Sequence, residues 1–193
     1  MVKLNKIYTR TGDDGTTGLV DGSRIAKSAP LMAAIGDVDE ANSAIGIAVA
    51  ALHPNSDATA MLVRIQNEMF DLGADLATPA DPAHGFGPHD MALRIVASQI
   101  ARLEDEIDRM NDDLEALRSF ILPGGTDAAA RLHLARAVTR RAERATVAAG
   151  ADRDLNPLAL TYLNRLSDHL FVLTRHLNAA AGGDVLWKPG ATR

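Results

Sequence analysis

Apolar residues recur along most of this chain at alternating spacings of three and four, which is the period of helices that pack together along one face. Such runs begin near Pro30, Leu62, Leu93, Thr126 and Pro157. The clearest of these positions are Ile35, Val38, Asn42, Ile45, Val49 and Leu52; Leu62, Ile65, Met69, Leu72 and Leu76; Leu93, Val96, Ile100, Leu103, Ile107 and Met110; and Leu163, Leu166, Leu170, Leu173 and Leu177. We therefore predict an all-α protein with five amphipathic helices in one bundle.

The segments between these runs carry the residues that interrupt helices. Residues 1–28 are polar and rich in glycine, so we predict a structured loop there, and the prolines and glycines of residues 77–90 predict a second loop. Asn156 as N-cap and Pro157 in the first turn predict the start of the fifth helix, and Gly182 and Gly183 its end. We expect one domain, with an N-terminal loop (1–28), a ferritin-like up-and-down bundle (29–181) and a tail (182–193).

Composition narrows the function classes. Cysteine is absent, which excludes disulfides and thiolate metal sites. The formal net charge is -5 and there is no basic tail, so neither nucleic acid nor a membrane is an expected partner. The first residues lack the apolar stretch of a signal peptide, and no window is long enough to span a membrane, so we expect a cytoplasmic protein.

One face of the predicted fourth helix concentrates positive charge. Arg136, Arg140 and Arg144 follow one another at i, i+4, where like charges cost roughly 0.2–0.5 kcal/mol per pair. Glu143 is the only acid among them, and His133 lies nearby. A solvated surface is the commoner explanation for such a face. In a net acidic chain, however, clustered arginines, whose forked donors match phosphate oxygens, favour an anion-binding face.

The N-terminal loop is a second candidate. Its sequence TRTGDDGTTGL offers backbone amides, hydroxyls and glycines that could cradle an anion, and Lys27 could add a phosphate contact. It is not a P-loop, and an ordinary polar turn is the alternative.

Polar residues also stand at or beside the packing positions. Asn42 follows Asp39 by about one turn in the first helix, and Asn164 precedes Asp168 in the fifth. Such residues either fix the register of a bundle or face a site between helices or subunits. An Asp39–Arg136 pair across a subunit interface would use both charges.

Five stretches together resemble one known family. They are IYTRTGDDGTTGL near the start, DVDEANSAIG from Asp37, FILPGG from Phe120, LHLARAVTRRAER from Leu132 and YLNRLSDHLF from Tyr162. In this order they are similar to the ATP:cob(I)alamin adenosyltransferases of the propanediol-utilisation type, the type of the human mitochondrial enzyme of methylmalonic aciduria. The resemblance extends from about Ile7 to Asn178 and departs from the usual pattern at Ala41, His169 and His176.

The resemblance implies a homotrimer with active sites between subunits, in which the loop of one subunit and the arginine helix of its neighbour hold ATP. It implies transfer of the 5′-deoxyadenosyl group of ATP to Co(I) of a corrinoid, with Mg²⁺ bridging the phosphates and with a corrinoid reductase and an adenosylcobalamin-dependent mutase as candidate partners. The matching ATP-binding positions are Thr9, Arg10, Thr11, Gly12, Thr17, Gly18, Lys27, Arg140, Arg141, Glu143, Arg144 and Asn164.

The resemblance also assigns individual roles. Arg140, Glu143 and Phe120 match catalytic positions, and Phe120 matches the aromatic residue that displaces the lower axial ligand of the corrinoid. Arg136 and Asp39 match a salt bridge between subunits. Without the resemblance, Phe120 would read as an ordinary core aromatic before a turn.

Two other functions share some of these features. A bundle that binds ATP or another polyanion without catalysis would need the arginine face but no corrinoid site. A di-metal bundle would need inward-facing Glu-x-x-His pairs, and none occurs in the sequence.

Overall fold

The computed structural model describes residues 8–87 and 92–193 and confirms the five-helix bundle. The helices are α1 (Pro30–Val49), α2 (Asp57–Ala77), α3 (Ala97–Asn111), α4 (Asp127–Ala149) and α5 (Pro157–Ala179). Two short strands precede them, β1 (Thr16–Gly18) and β2 (Arg24–Ala26). None of the helices within the described residues is long and apolar enough to cross a membrane.

Three helices begin at side chains that accept hydrogen bonds from the free amides of the first turn. Ser56 accepts from Thr59 N at 3.2 Å, Thr126 from Ala129 N at 3.1 Å and Asn156 from Leu158 N at 3.0 Å. The predicted starts near Thr126 and at Asn156 are confirmed.

The predicted start of the third helix at Leu93 is wrong, because α3 begins at Ala97. Leu93 is half exposed, whereas the neighbouring Arg94 is buried. The guanidinium of Arg94 donates to the carboxylate of Asp75 at 2.8 Å and to the carbonyl oxygens of Thr78 and Pro79 at 2.7 and 2.6 Å. The segment before α3 is extended, and it carries the arginine to the end of α2, where these oxygens have no helical partners.

The N-terminal loop contains a hairpin that the sequence did not predict. β1 and β2 pair antiparallel, with Thr16 opposite Ala26 and Gly18 opposite Arg24. The turn between them places Gly22 at φ 81° and is closed by a hydrogen bond from Leu19 N to Ser23 O. Strands of three residues are too short to show an alternating pattern.

The helices pack as neighbours in the order α2, α1, α4, α5, α3, and α1 and α4 make the most extensive contact. Side chains from all five helices form one apolar core that includes Leu31, Ile45, Leu62, Leu103, Leu132 and Leu166. Ion pairs join α3 to α2: Arg64 meets Glu106, and Arg102 meets Glu68. Buried charges therefore complete the packing between α2 and α3.

Candidate functional site

The arginine face of α4 (Arg136, Arg140 and Arg144) differs from one end to the other. Arg140 and Arg144 are exposed, and neither makes an ion pair with any described residue. Arg144 Nη1 donates to the backbone carbonyl oxygen of Arg140 at 2.9 Å, so the Arg144 side chain lies back along the helix toward residue 140. Two like charges are thus held on one surface without an acid to offset them, as an anion site requires.

The acid within this face is directed toward α5. Glu143 accepts a hydrogen bond from Asn164 Nδ2 at 2.9 Å, so two residues with predicted ATP contacts lie together at the α4–α5 surface. Asn164 is exposed, and its amide oxygen points to no described partner. Glu143 therefore fixes the orientation of an amide that is available to a ligand.

Arg141 lies on a different side of α4 from Arg140 and Arg144. Its guanidinium donates to Asp37 of α1 at 3.2 Å and forms a close ion pair with Glu40. The hydrogen bond that Arg141 donates to Glu40, together with the charge of Asp37, raises the pKa of Arg141. Within one chain this arginine is already engaged, and its predicted contact with ATP stays a prediction.

Arg136 has no acid partner inside the described chain. It is partly buried, and its guanidinium lies 5.8 Å from the centre of the Phe171 ring. Burial lowers the pKa of Arg136, and the charge of Arg140 lowers it further. Asp39 lies on α1 as an exposed carboxylate and does not reach Arg136 within the chain. The predicted Asp39–Arg136 pair between subunits stays a prediction.

A cavity of about 720 Å³ opens beside Arg136 and Arg140. Helices α4 and α5 form one side, and residues 117–121 and the C-terminal tail form the other. It is lined by Leu117, Arg118, Ser119, Phe120, Ile121, Arg136, Arg140, Ser167, Asp168, Phe171, Trp187 and Pro189. The cavity is mostly apolar, with a few charged groups on its walls, which suits a ligand that combines a large apolar surface with a few polar groups.

Phe120 is 78% exposed and stands on the wall of this cavity, so it is not a core aromatic. Its ring lies against that of Trp187, with centroids 6.0 Å apart. The tail is paired with this segment through its backbone: Trp187 N donates to Phe120 O at 2.8 Å, and Leu122 N donates to Val185 O at 2.7 Å. Two aromatic rings from distant parts of the chain thus form one apolar surface.

The sequence reasoning missed Trp187 and gave the tail no role. The sequence offered only a brief indication of such a role. The single tryptophan of the chain stands in the apolar run Val185–Leu186–Trp187, shortly after two glycines. Three residues have no periodicity, and their place in the fold is known only from tertiary contacts such as the bridge between Ile121 and Leu186.

The N-terminal loop is ordered by its own polar groups. Lys27 Nζ donates to Gly12 O at 2.7 Å, and Arg24 donates to Thr11 O at 2.6 Å. A Cβ atom at residue 12 would stand 3.1 Å from Lys27 Nζ and from Thr16 O, which is a tight contact, so glycine favours this close approach. Arg10 adopts φ 62°, and Thr9 and Thr11 share a hydrogen bond of 2.8 Å.

The structure therefore gathers the loop residues with predicted ATP contacts into one turn and hairpin, with Thr17 and Gly18 in β1. Among the residues described, no hydrogen bond or ion pair joins this loop to Arg140, Glu143 or Arg144. The two halves of the predicted ATP site are each formed, but a single chain does not connect them.

Comparisons with known proteins bear on these features. Residues 7–177 match the family described as cobalamin adenosyltransferase. The corrinoid adenosyltransferase of Mycobacterium tuberculosis is 52% identical over 100% of this chain and 97% of its own length. That of Bacillus subtilis is 41% identical over 96% of this chain and 94% of its own length.

A solved structure is also similar. It is a variant of the PduO-type ATP:corrinoid adenosyltransferase of Lactobacillus reuteri in complex with cobalamin and ATP. It superposes with a TM-score of 0.84 at 37% identity, over 95% of this chain and 99% of that one. The similarity thus covers the bundle, the loop and the arginine helix together.

Proposed function

The chain belongs to the cobalamin adenosyltransferase family and adenosylates a corrinoid with ATP, and we propose that the arginine face of α4 and the cavity beside Phe120 carry out this reaction. One observation carries the proposal. Arg140 belongs to the exposed arginine face and also lines the cavity. An ATP molecule whose triphosphate is bound by the arginines would therefore place its adenosyl group at the mouth of an apolar pocket.

The reaction forms one bond and breaks one bond. The electron pair of Co(I) attacks C5′ of ATP, a cobalt–carbon bond forms, and the C5′–O bond breaks with its electrons going to triphosphate. The nucleophile belongs to the corrinoid substrate, so the protein needs no nucleophile of its own. Arg140 and Arg144, together with Lys27 of the N-terminal loop, stabilise the negative charge that builds on the leaving triphosphate.

The cavity performs the second task, which is to make Co(II) easier to reduce. Phe120 projects into the space and excludes both the lower axial ligand and water, which leaves a four-coordinate Co(II) that accepts an electron more readily. The exposure of Phe120 and its contact with Trp187 support this role, because an aromatic ring held at a cavity wall is already in place before the substrate arrives.

Mg²⁺ enters the proposal with ATP. The described residues contain no group of three or more His, Cys, Asp or Glu side chains that could hold a metal ion. In this proposal the phosphates of ATP are its main ligands, and the ion would offset part of their charge. The protein's own contribution to phosphate binding comes from the arginines of α4 and from Lys27.

The active unit in this proposal is a cytoplasmic homotrimer. The loop and the arginine face are each complete but unconnected within one chain, so the loop of one subunit would meet the arginines of the next. Arg136, which has no acid partner among the described residues of its own chain, would meet Asp39 across the same interface. This arrangement gives a partner to a partly buried arginine, and unpaired buried charge is costly.

Adenosylation itself is the direct test. Protein, ATP, Mg²⁺ and chemically reduced cobalamin are mixed, and the light-sensitive spectrum of adenosylcobalamin is followed. We expect its appearance together with stoichiometric triphosphate. ATP binding without this product would instead identify a polyanion-binding module.

Phe120→Ala tests the role of the cavity. We expect the variant to keep its affinity for ATP but to lose the four-coordinate Co(II) signal in electron paramagnetic resonance, because water and the lower ligand can then reach the metal. Phe120→Leu, which retains apolar bulk, serves as the control and should keep part of the signal. A wild-type spectrum from Phe120→Ala would refute the assignment.

A further inference from the structure

The C-terminal tail returns to the cavity through a turn just after α5. Gly182 and Gly183 adopt φ values of 102° and 93°, which only glycine adopts without strain, and Gly183 N donates to Asn178 O at 2.8 Å. The next residue, Asp184, is the first whose side chain enters the protein. Trp187, which lies against Phe120, follows three residues later.

Asp184 forms a largely buried ion pair. One carboxylate oxygen accepts from Arg175 Nε at 2.9 Å, with only 12% of the Asp184 side chain and 9% of the Arg175 side chain exposed. Arg175 Nη2 also donates to Glu115 O at 2.7 Å. One guanidinium of α5 therefore holds both the tail and the segment that leads to Phe120.

The second oxygen of this carboxylate is unused. Asp184 Oδ1 is buried without a hydrogen-bond partner among the described residues, and so are both ring nitrogens of His133. His133 lies on α4, one turn before Arg136, and is only 4% exposed. Buried polar atoms are rarely left unsatisfied, so unpaired atoms of complementary character on two neighbouring elements point to a shared function.

The two groups influence each other electrostatically. Burial lowers the pKa of His133, the charge of Arg136 lowers it further, and the carboxylate of Asp184 opposes both effects. Asp184 is the acid that acts on this imidazole. A neutral imidazole keeps one N–H donor, which is what Asp184 Oδ1 lacks.

We propose that Asp184 is a positioning residue for the corrinoid: Arg175 and His133 hold its carboxylate, and this anchor keeps Trp187 against Phe120 in the wall of the cavity. His133 is the second partner of the carboxylate in this proposal, because its ring nitrogens and Asp184 Oδ1 are buried and without partners among the described residues. The inference rests on the proposed function for its effect on catalysis. The anchoring itself can be measured without any substrate.

The test uses amide hydrogen exchange over residues 182–193 and the fluorescence of Trp187, the chain's single tryptophan. Asp184→Asn keeps the size of the side chain but removes its charge. We expect its tail amides to exchange about tenfold faster and its tryptophan to become more accessible to acrylamide, as loss of a charge-assisted hydrogen bond implies. Asp112→Asn, an exposed acid just after α3, is the matched control and should behave as wild type.

The kinetic readout separates positioning from general damage. In Asp184→Asn we expect the KM for corrinoid to rise about tenfold while the KM for ATP stays within about twofold, because the tail lines the cavity and not the arginine face. Equal increases in both constants, or wild-type tail exchange in a folded Asp184→Asn protein, would overturn the proposal. Failure of the adenosylation assay would refute the proposed function and leave the exchange result standing.

A second variant keeps the proposal testable if Asp184→Asn does not fold. His133→Leu fills the same buried space but cannot pair with Asp184. We expect about threefold faster exchange of the tail amides, the change that one neutral hydrogen bond is worth. Exchange identical to wild type would exclude His133 as the second partner.

Discussion

Arginines serve two opposite purposes in this bundle, and the contrast separates structure from function. On α4, Arg140 and Arg144 are exposed and face no acid within the described chain. On the far side, Arg64 of α2 donates to both oxygens of Glu106 on α3, at 2.7 and 2.8 Å. The charge of Arg64 is thus neutralised within the fold, whereas Arg140 and Arg144 stay available to an anion.

The self-contained group extends further into the core. Glu106 also meets the fully buried His169 at 2.9 Å, and Glu68 accepts from Arg102 and from the hydroxyl of Tyr162, each at 2.7 Å. Burial alone would raise the pKa of Glu106, but hydrogen bonds from His169 and Arg64 outweigh it and lower the pKa to about 2. Every charge in this network has a partner within the chain.

The largest expected effect comes from breaking this network. Glu106→Ala leaves the buried imidazole of His169 without an acid and leaves Arg64 only its longer contact with Glu68, at 3.6 Å, so we expect the free energy of unfolding to fall by about 3–5 kcal/mol. Denaturant unfolding measures it. Glu104 lies on the same helix as Glu106 and forms an exposed ion pair with Arg165 of α5. Glu104→Ala is the control and should lower the free energy of unfolding by less than about 1 kcal/mol. Similar losses in both variants would contradict a structural role for the network.

Arg140→Ala should show the reverse pattern. We expect kcat/KM to fall about 100- to 1000-fold, the usual effect of removing one group that stabilises developing negative charge. Thermal stability should stay unchanged, because the side chain is exposed and forms no ion pair with the part of the chain that the structure describes. Arg131→Ala, an exposed arginine of the same helix paired with Asp127, is the matched control and should keep its activity. Near-normal turnover of Arg140→Ala would refute the phosphate assignment.

Much of the bundle could be predicted because periodicity and capping act locally. The N-cap role of Asn156 and the apolar spacing of Leu163, Leu166, Leu170 and Leu173 need no tertiary context, and all four leucines are fully buried. The exposed arginines were also visible, since helix geometry alone places Arg140 and Arg144 on one face.

Residues that depend on a distant partner could not be predicted in this way. In α3 the charged Glu106 is buried, whereas the apolar Ile107 is only partly so, because Arg64 and His169 approach from other helices. Leu134 of α4 is apolar and yet is 58% exposed. His169 looked like a departure from the family pattern, and its contact with Glu106 gives it a local role.

Acid should weaken the network while the folded bundle still presents its arginine face. The folded pKa of Glu106, about 2, lies below its ordinary value of 4.5, so its contribution to stability is present above pH 4.5 and is lost as the pH falls toward 2. We expect the unfolding free energy of wild type to fall more steeply over this window than that of Glu106→Gln, which cannot titrate there. Parallel pH profiles would contradict the assigned pKa.

The smallest expected effect on stability concerns Arg141, which stands between the two classes. It lies on the same helix as Arg140, yet it pairs with Asp37 and Glu40 of α1. Because these pairs are open to solvent, Arg141→Ala should lower the melting temperature only slightly, and the difference from wild type should shrink at high salt.

The kcat/KM of Arg141→Ala sharpens the comparison between the two classes of arginine. If Arg141 serves only α1, activity should fall far less than in Arg140→Ala. A fall as large as that of Arg140→Ala would mean that Arg141 leaves Asp37 and Glu40 to bind triphosphate, as the family resemblance implies. The contrast between self-satisfied and available arginines would then run through α4 itself.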